Sequence, residues 1–196
     1  EGLEKKPSVV MICITCVDAL LGTDMERVCR KAEEATGLPV KPCYMYALTR
    51  EGRKPPMVHV RQSIYSLLEP RKKKGNVVNL LGYFSPLVDD CELYVLLHGA
   101  GVKTIHEISR CKNYEEYQTM SEANFNLVLH PEARFAAEDF HDRLKIPYIE
   151  LRRLYQIDKI ASQYRAFGVA LGVEFDDEEP RKTAEAAVAK FKELHP

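Results

Sequence analysis

The sequence has no excess of either charge. Twenty-eight Lys and Arg stand against 29 Asp and Glu, which removes any general electrostatic case for nucleic acid or an anionic membrane as partner. It has no apolar run of the roughly 18 to 20 residues that a bilayer-spanning helix needs. Its charged opening, EGLEKKPSVV, lacks the form of a signal peptide. A cytoplasmic protein is the expectation. No G-x-G-x-x-G follows either first strand, so nucleotide binding of the phosphate-cradling kind is unsupported. No second Cys-x-x-Cys and no His-x3-His accompany Cys13 and Cys16, whereas a closed zinc site takes four ligands. In a reducing compartment the cysteines at 13, 16, 29, 43, 91 and 111 read as thiols or ligands rather than a disulfide framework.

What the sequence does have is enough apolar residue, 45% of 196, to bury the core of one domain or two small ones. The chain starts at Glu1 without a Met and enters a strand at once, which suggests an excerpt of a longer protein. Residues 8–15, SVVMICIT, are apolar and β-branched without polar alternation, as in a parallel strand covered on both faces. A loop and a capping box, Thr23 to Glu26, then open a helix that Gly37 stops. A second strand, LPVKPCYMY, is followed by the polar loop ALTREGRKPP and a helix from Met57 to Leu68. The basic run Arg71 to Lys74 with Gly75 reads as a solvated linker.

From Asn76 the pattern restarts. Strands NVVNLLG, VKTIHEIS, NFNLVLH and PYIEL alternate with helices beginning near Asp89, at Asn113 (capped with Glu116) and at Pro131. Two helices, 156–171 and 180–194, close the chain. The expected fold is α/β: two Rossmann-like units with parallel sheets and flanking helices in three layers. The expected divisions are 1–74, a first unit carrying Cys16; 75–172, a second Rossmann-like domain; and 173–196, a helix leading toward a further domain.

The two halves echo each other. Cys16 stands eight residues before Asp24 and ten before Glu26, and Gly82 stands likewise before Asp90 and Glu92. Both halves place a special residue at the carboxyl end of a first strand, the edge where open α/β sheets bind ligands. Cys13 lies inside the strand, and extended residues three apart point to opposite faces, so a dithiol with Cys16 is disfavoured and Cys13 reads as packing. Cys29 and Cys43 read as buried hydrophobes, and Cys91 and Cys111 as structural.

The segment TCVDALLGTDME, with Cys16, Gly22, Asp24 and Glu26, resembles the strand–loop–helix segment of nitrogenase component 1 type oxidoreductases, the dinitrogenase subunits and their scaffold and reductase relatives. The likeness continues through residues 76–109, 122–151 and 155–172. It implies that Cys16 is one ligand of an iron–sulfur cluster shared with a homologous partner subunit, and that His59 lies near an active-site cofactor. It also implies an ATP-dependent iron-protein reductase as electron donor. The position at which dinitrogenases hold a cysteine ligand to their iron–molybdenum cofactor is Leu129, which cannot bind iron; His130 is its neighbour. One thiolate does not make a four-iron site, which takes about four ligands. The expected crevice is lined near Cys16, His59, Gly82 to Ser85, Ser109 to Cys111 and His130, with His59, Gly82, Ser109 and His130 as cofactor contacts.

Three functions follow as expectations. The leading one is a nitrogenase-like oxidoreductase subunit that passes electrons to a substrate other than dinitrogen. The second is a metallocofactor-assembly scaffold, with which Leu129 agrees. The third is a metal-free two-lobed module binding a small molecule.

Overall fold

The computed structural model describes residues 6–45, 54–176 and 178–194. Two parallel sheets form it. In the first, β1 (Val10–Ile14) pairs with β2 (Val40–Tyr44), joined through a short helix α1 (Cys16–Leu20) and a long one, α2 (Met25–Thr36). Helix α3 (Pro56–Tyr65) follows. The second sheet has the order β4-β3-β5-β6, from β3 (Val77–Leu81), β4 (Thr104–Glu107), β5 (Phe125–Val128) and β6 (Tyr148–Glu150). All its pairings are parallel. Helices α4 (Glu92–Gly99), α5 (Tyr114–Gln118) and α6 (Arg134–Leu144) connect its strands, and α7 (Ile157–Leu171) and α8 (Glu178–Leu194) close the chain. The α/β class and the three layers are as the alternating sequence pattern implies.

Every residue of β3 is buried, Asn79 included, as in a strand covered on both faces. One face of the second sheet, through Leu81 and Val128, packs on Tyr65, Leu68, Met120, Ala136 and Phe140. The other face, through Val78, Leu80 and Leu127, packs on Leu93, Leu97 and Phe167. Burying each large side chain contributes roughly 1.5–3 kcal/mol relative to leaving it in water. The Tyr65 and Phe140 rings meet edge to face at 5.2 Å. Asn79 and Asn126 face each other in register on β3 and β5. Asn79 Nδ2 donates to Asn126 Oδ1 at 2.7 Å and to the Met120 carbonyl at 2.9 Å. A one-residue slip of register would strand these buried amides, so the pair fixes the alignment of the two central strands.

Three local expectations need correction. The segment after β1 is not all loop: Thr15 caps α1, its N–H and hydroxyl both donating to Asp18 Oδ2 at 3.1 and 3.2 Å. The cap of α2 is Asp24, not Thr23, because the Asp24 carboxylate accepts from the Arg27 N–H at 3.0 Å, while Glu26 accepts from the Tyr44 hydroxyl. The basic run is docked rather than solvated. Arg71 and Lys74 pair with Glu122, and Lys73 Nζ donates to the Ser121 carbonyl at 2.7 Å. Burial pushes the Lys73 pKa down.

Helix α3 lies against both sheets. Ser63 Oγ donates to the Pro42 carbonyl of β2 at 2.9 Å, while Tyr65 joins the core formed with α6. Arg143 of α6 donates to the carbonyls of Tyr65, the last residue of α3, and of Leu68 in the turn that follows.

His106 of β4 supplies a pH test. Burial lowers its pKa, a change only partly opposed by Glu122 and Glu116. The unfolded chain then binds the proton more readily than the folded one, so stability is full above the unfolded histidine pKa of about 6.5 and falls as pH drops below it. The expected result is a chemical-denaturation midpoint that declines between about pH 6.5 and 5.5, with a shallower decline in His106→Gln; equal slopes would remove His106 as the cause.

Candidate functional site

Strand order reverses direction around β3: the chain adds β4 on one side and returns to add β5 on the other. Crevices for ligands form at such a switch point, outside the carboxyl ends of the strands. Gly82, just past β3, and His130, just past β5, meet there. Gly82 has φ +142°, and a Cβ on it would lie 2.7 Å from the His130 nitrogen and 2.8 Å from the His130 Cβ. Only glycine lets the two strand ends approach this closely. His130 in turn starts a single tight turn, Pro131–Ala133, with its Nδ1 accepting from the Glu132 N–H at 3.3 Å. The Tyr83 ring stands edge-on to the His130 ring at 5.6 Å.

Arg61 of α3 holds this junction from beneath. Its side chain is 7% exposed. It donates to the Gly82 carbonyl from Nε at 3.1 Å and from Nη2 at 2.7 Å. Nη1 donates to the Met57 carbonyl at 3.0 Å and to Glu132 at 2.8 Å. The guanidinium also lies over the Phe84 ring, 4.8 Å from its centre. Sequence patterning does not single out Arg61, which stands among the polar residues His59, Gln62 and Ser63 of α3.

Above the junction opens a cleft of about 690 Å³ lined by Tyr83, Val128, Leu129, His130, Pro131, Arg134, Glu150, Leu151, Arg152 and Arg153. Arg134 pairs with Glu150 at 3.2 Å and Glu138 at 3.3 Å. Arg153 donates to the Tyr83 hydroxyl at 3.4 Å. Three guanidinium groups against one lining carboxylate suit an anionic guest. Among the described residues no thiol lines the cleft. Leu129 occupies its wall, with its N–H donating to the Leu81 carbonyl at 2.8 Å.

The remaining candidate residues lie elsewhere. Cys16 is exposed at the first position of α1. Around it Val17, Leu20 and Leu21 are 58%, 79% and 74% exposed, with Met45 also in solvent. His59 of α3 stands edge-on to Tyr44 at 6.0 Å and does not line the cleft. Ser109 lies in the turn Ile108–Arg110 beyond β4, its hydroxyl buried and without a hydrogen-bond partner among the described residues. The structure thus brings Gly82 and His130 together and leaves His59 and Ser109 out of the cleft lining.

The loop that corresponds to α1 in the second half has no helix. Glu107 accepts from the Leu87 N–H at 2.9 Å, and Arg110 donates to the Leu87 carbonyl at 2.8 Å and to Asp89 at 2.7 Å. Burial and a hydrogen bond to Glu107 push the Tyr94 hydroxyl up to about 12. Cys29 and Cys43 are buried as expected, and burial raises the pKa of each. Cys111 is half-buried, its thiol 3.5 Å from the Glu107 carbonyl. Cys13 departs from expectation: it is exposed rather than packed.

An iron–sulfur cluster takes about four ligands, and the described residues contain no group of three or more His, Cys, Asp or Glu arranged to hold a metal ion. Cys16 offers one exposed thiol, too few donors for a cluster by itself.

Parallel sheets flanked by helices, with a crevice outside the strand ends, place the chain in the α/β class. Residues 3–196 match the family described as nitrogenase component 1 type oxidoreductase, and the chain belongs to that family. Two curated relatives are nitrogenase iron-molybdenum cofactor biosynthesis proteins NifE. The one from Nostoc sp. is 26% identical over 85% of this chain and 35% of its own length; the one from Klebsiella pneumoniae is 26% identical over 94% and 42%. The chain thus spans less than half the length of these relatives. A solved structure, nitrogenase Cp1 at pH 5, superposes with a TM-score of 0.61 at 22% identity, over 93% of this chain and 37% of that one. No helix among the described residues is long and apolar enough to cross a membrane.

Proposed function

We propose that the chain is the central part of a cytoplasmic metallocofactor-assembly scaffold subunit, which receives a metal–sulfur cluster as cargo in the strand-end cleft and hands it on without turnover. The supporting observation is the cleft wall: Leu129 offers no thiolate, and Arg134, Arg152, Arg153 and His130 line it beside a single carboxylate, Glu150, and the Tyr83 hydroxyl. A cluster held by charge-assisted hydrogen bonds is released more readily than one fixed by a thiolate–iron bond. The biosynthetic names of the NifE relatives favour this reading over the oxidoreductase one.

Cys16 serves a second position. Its exposed apolar surroundings, Val17, Leu20 and Leu21, suit burial against a homologous partner subunit, where the thiolate becomes one ligand of a shared iron–sulfur cluster. That cluster supplies one-electron transfer when bound. Cys16 contributes a ligand there, and the apolar residues beside it exclude water. An ATP-dependent iron-protein reductase is then a docking partner, and the proposed boundary between the two units falls at residues 74/75.

The test is anaerobic transfer with the full-length protein and its partner subunit. Cargo cluster should pass to an acceptor apoprotein, with no substrate reduced when an iron-protein reductase and ATP are supplied. Turnover under those conditions would return the oxidoreductase reading. Arg152→Glu with Arg153→Glu should weaken cargo retention about tenfold or more, the loss of one or two charge-assisted hydrogen bonds. Unchanged retention would move the cargo out of this cleft.

A further inference from the structure

Cys13 and Cys43 are Cα partners in the parallel register of β1 and β2. Neighbouring strands lie about 4.8 Å apart, within the roughly 4.4–6.8 Å Cα separation that a disulfide spans. The two side chains share one face of the sheet, as directly opposed residues do. The sulfurs also interact: after burial, Cys13 is the next cause of the raised Cys43 pKa, through charge and a side-chain hydrogen bond. Their accessibilities differ. Cys13 is exposed and both are free, while Cys43 is 4% exposed. Cys16 is not the natural partner of Cys13, because it has left the strand and begins α1.

We propose that Cys13 and Cys43 form a redox-active cross-strand dithiol, with Cys13 the thiol that meets the oxidant and Cys43 the one that resolves it. The oxidant is a low-molecular-weight disulfide of the glutathione class. The Cys13 sulfur, giving its proton to solvent, attacks one sulfur of that disulfide and expels the other as a thiol, leaving a mixed disulfide on Cys13. The Cys43 sulfur then attacks the Cys13 sulfur, loses its own proton and expels the second small thiol. The cysteines lose two electrons and two protons, and the small disulfide gains them. The product ties β1 to β2 three residues before Cys16 and closes a loop containing α1 and α2. This pair is independent of the cleft and of any cluster bound through Cys16.

The experiment treats the full-length protein with oxidised glutathione, alkylates the remaining thiols, unfolds and digests it, and maps the peptides by mass spectrometry. A linked pair of peptides carrying Cys13 and Cys43 is expected, with the same link in Cys16→Ser. In Cys43→Ser the expected product is glutathione retained on Cys13. A glutathione adduct persisting on Cys13 of the unmodified sequence, with Cys43 still alkylatable after unfolding, would overturn the proposal, as would a Cys13–Cys16 link. Circular dichroism of Cys43→Ser confirms that the variant is folded; if it is not, the peptide map of the unmodified sequence decides the matter alone.

Discussion

Gly82→Ala should lower the stability of the protein by about 3 kcal/mol or more, a large part of the roughly 5–15 kcal/mol that usually separates folded from unfolded chains. Two costs add. At φ +142° a residue with a Cβ carries about 1–3 kcal/mol of backbone strain. The new methyl would also meet the backbone nitrogen and the Cβ of His130 at 2.7 and 2.8 Å. Neither atom can move by changing a rotamer, so the strand ends must separate, and overpacking of this kind costs about 1–3 kcal/mol. A melting temperature lower by roughly 10 °C is expected. Gly75→Ala, whose added methyl would have nothing within 4 Å, is the control and should be near neutral. A Gly82→Ala protein that melts with the unsubstituted one would show that β3 and β5 end farther apart than described.

Arg61→Met should cost about 3 kcal/mol, because it leaves the Gly82 carbonyl without either of its guanidinium donors and removes the Met57 and Glu132 bonds together. Breaking a buried charged network from one side is far more costly than its net contribution, since the stranded acceptors have lost water as well as their partner. Arg61→Lys should recover little, as one ammonium cannot reproduce the planar fork that reaches the Gly82 carbonyl twice. Glu132→Gln should cost well under half as much, its carboxylate being 34% exposed and screened. Urea denaturation of the three variants checks the order. A Glu132 variant as unstable as Arg61→Met would assign the energy to the ion pair instead of the carbonyl contacts.

Periodicity carries most of the fold because the determinants of the strands are local. The apolar pairs that flank Asn79 in β3 and the Asn113–Glu116 cap of α5 can be read within a few residues, and both stand where the pattern places them. Helix α1 escapes a sequence reading because its cap, Thr15 to Asp18, competes with a glycine-containing segment that reads as loop. Thr23 and Asp24 are both good capping residues, and only the folded chain, in which Asp24 accepts from the Arg27 N–H, decides between them. The candidate site is half legible. Gly82 and His130 are marked by their places at strand ends, but the contact between them depends on β3 and β5 being neighbours, which follows from topology rather than spacing. Arg61 reaches a carbonyl 21 residues away, and Cys13 finds Cys43 only through the register of β1 and β2. Such pairings are non-local, and no window of sequence contains them.

Helix α3 precedes the second sheet in the chain yet contributes Tyr65 to that sheet's core, while its Ser63 is bonded to β2. A two-stranded sheet has little stability of its own. The folding cooperativity of β1 and β2 is therefore borrowed: they are held by a helix whose own anchorage is the larger core. Loss of that core would release α3 and the small sheet with it, so the amides of β1 and β2 should exchange with solvent no more slowly than those of β3, and in a single subglobal opening when α3 detaches.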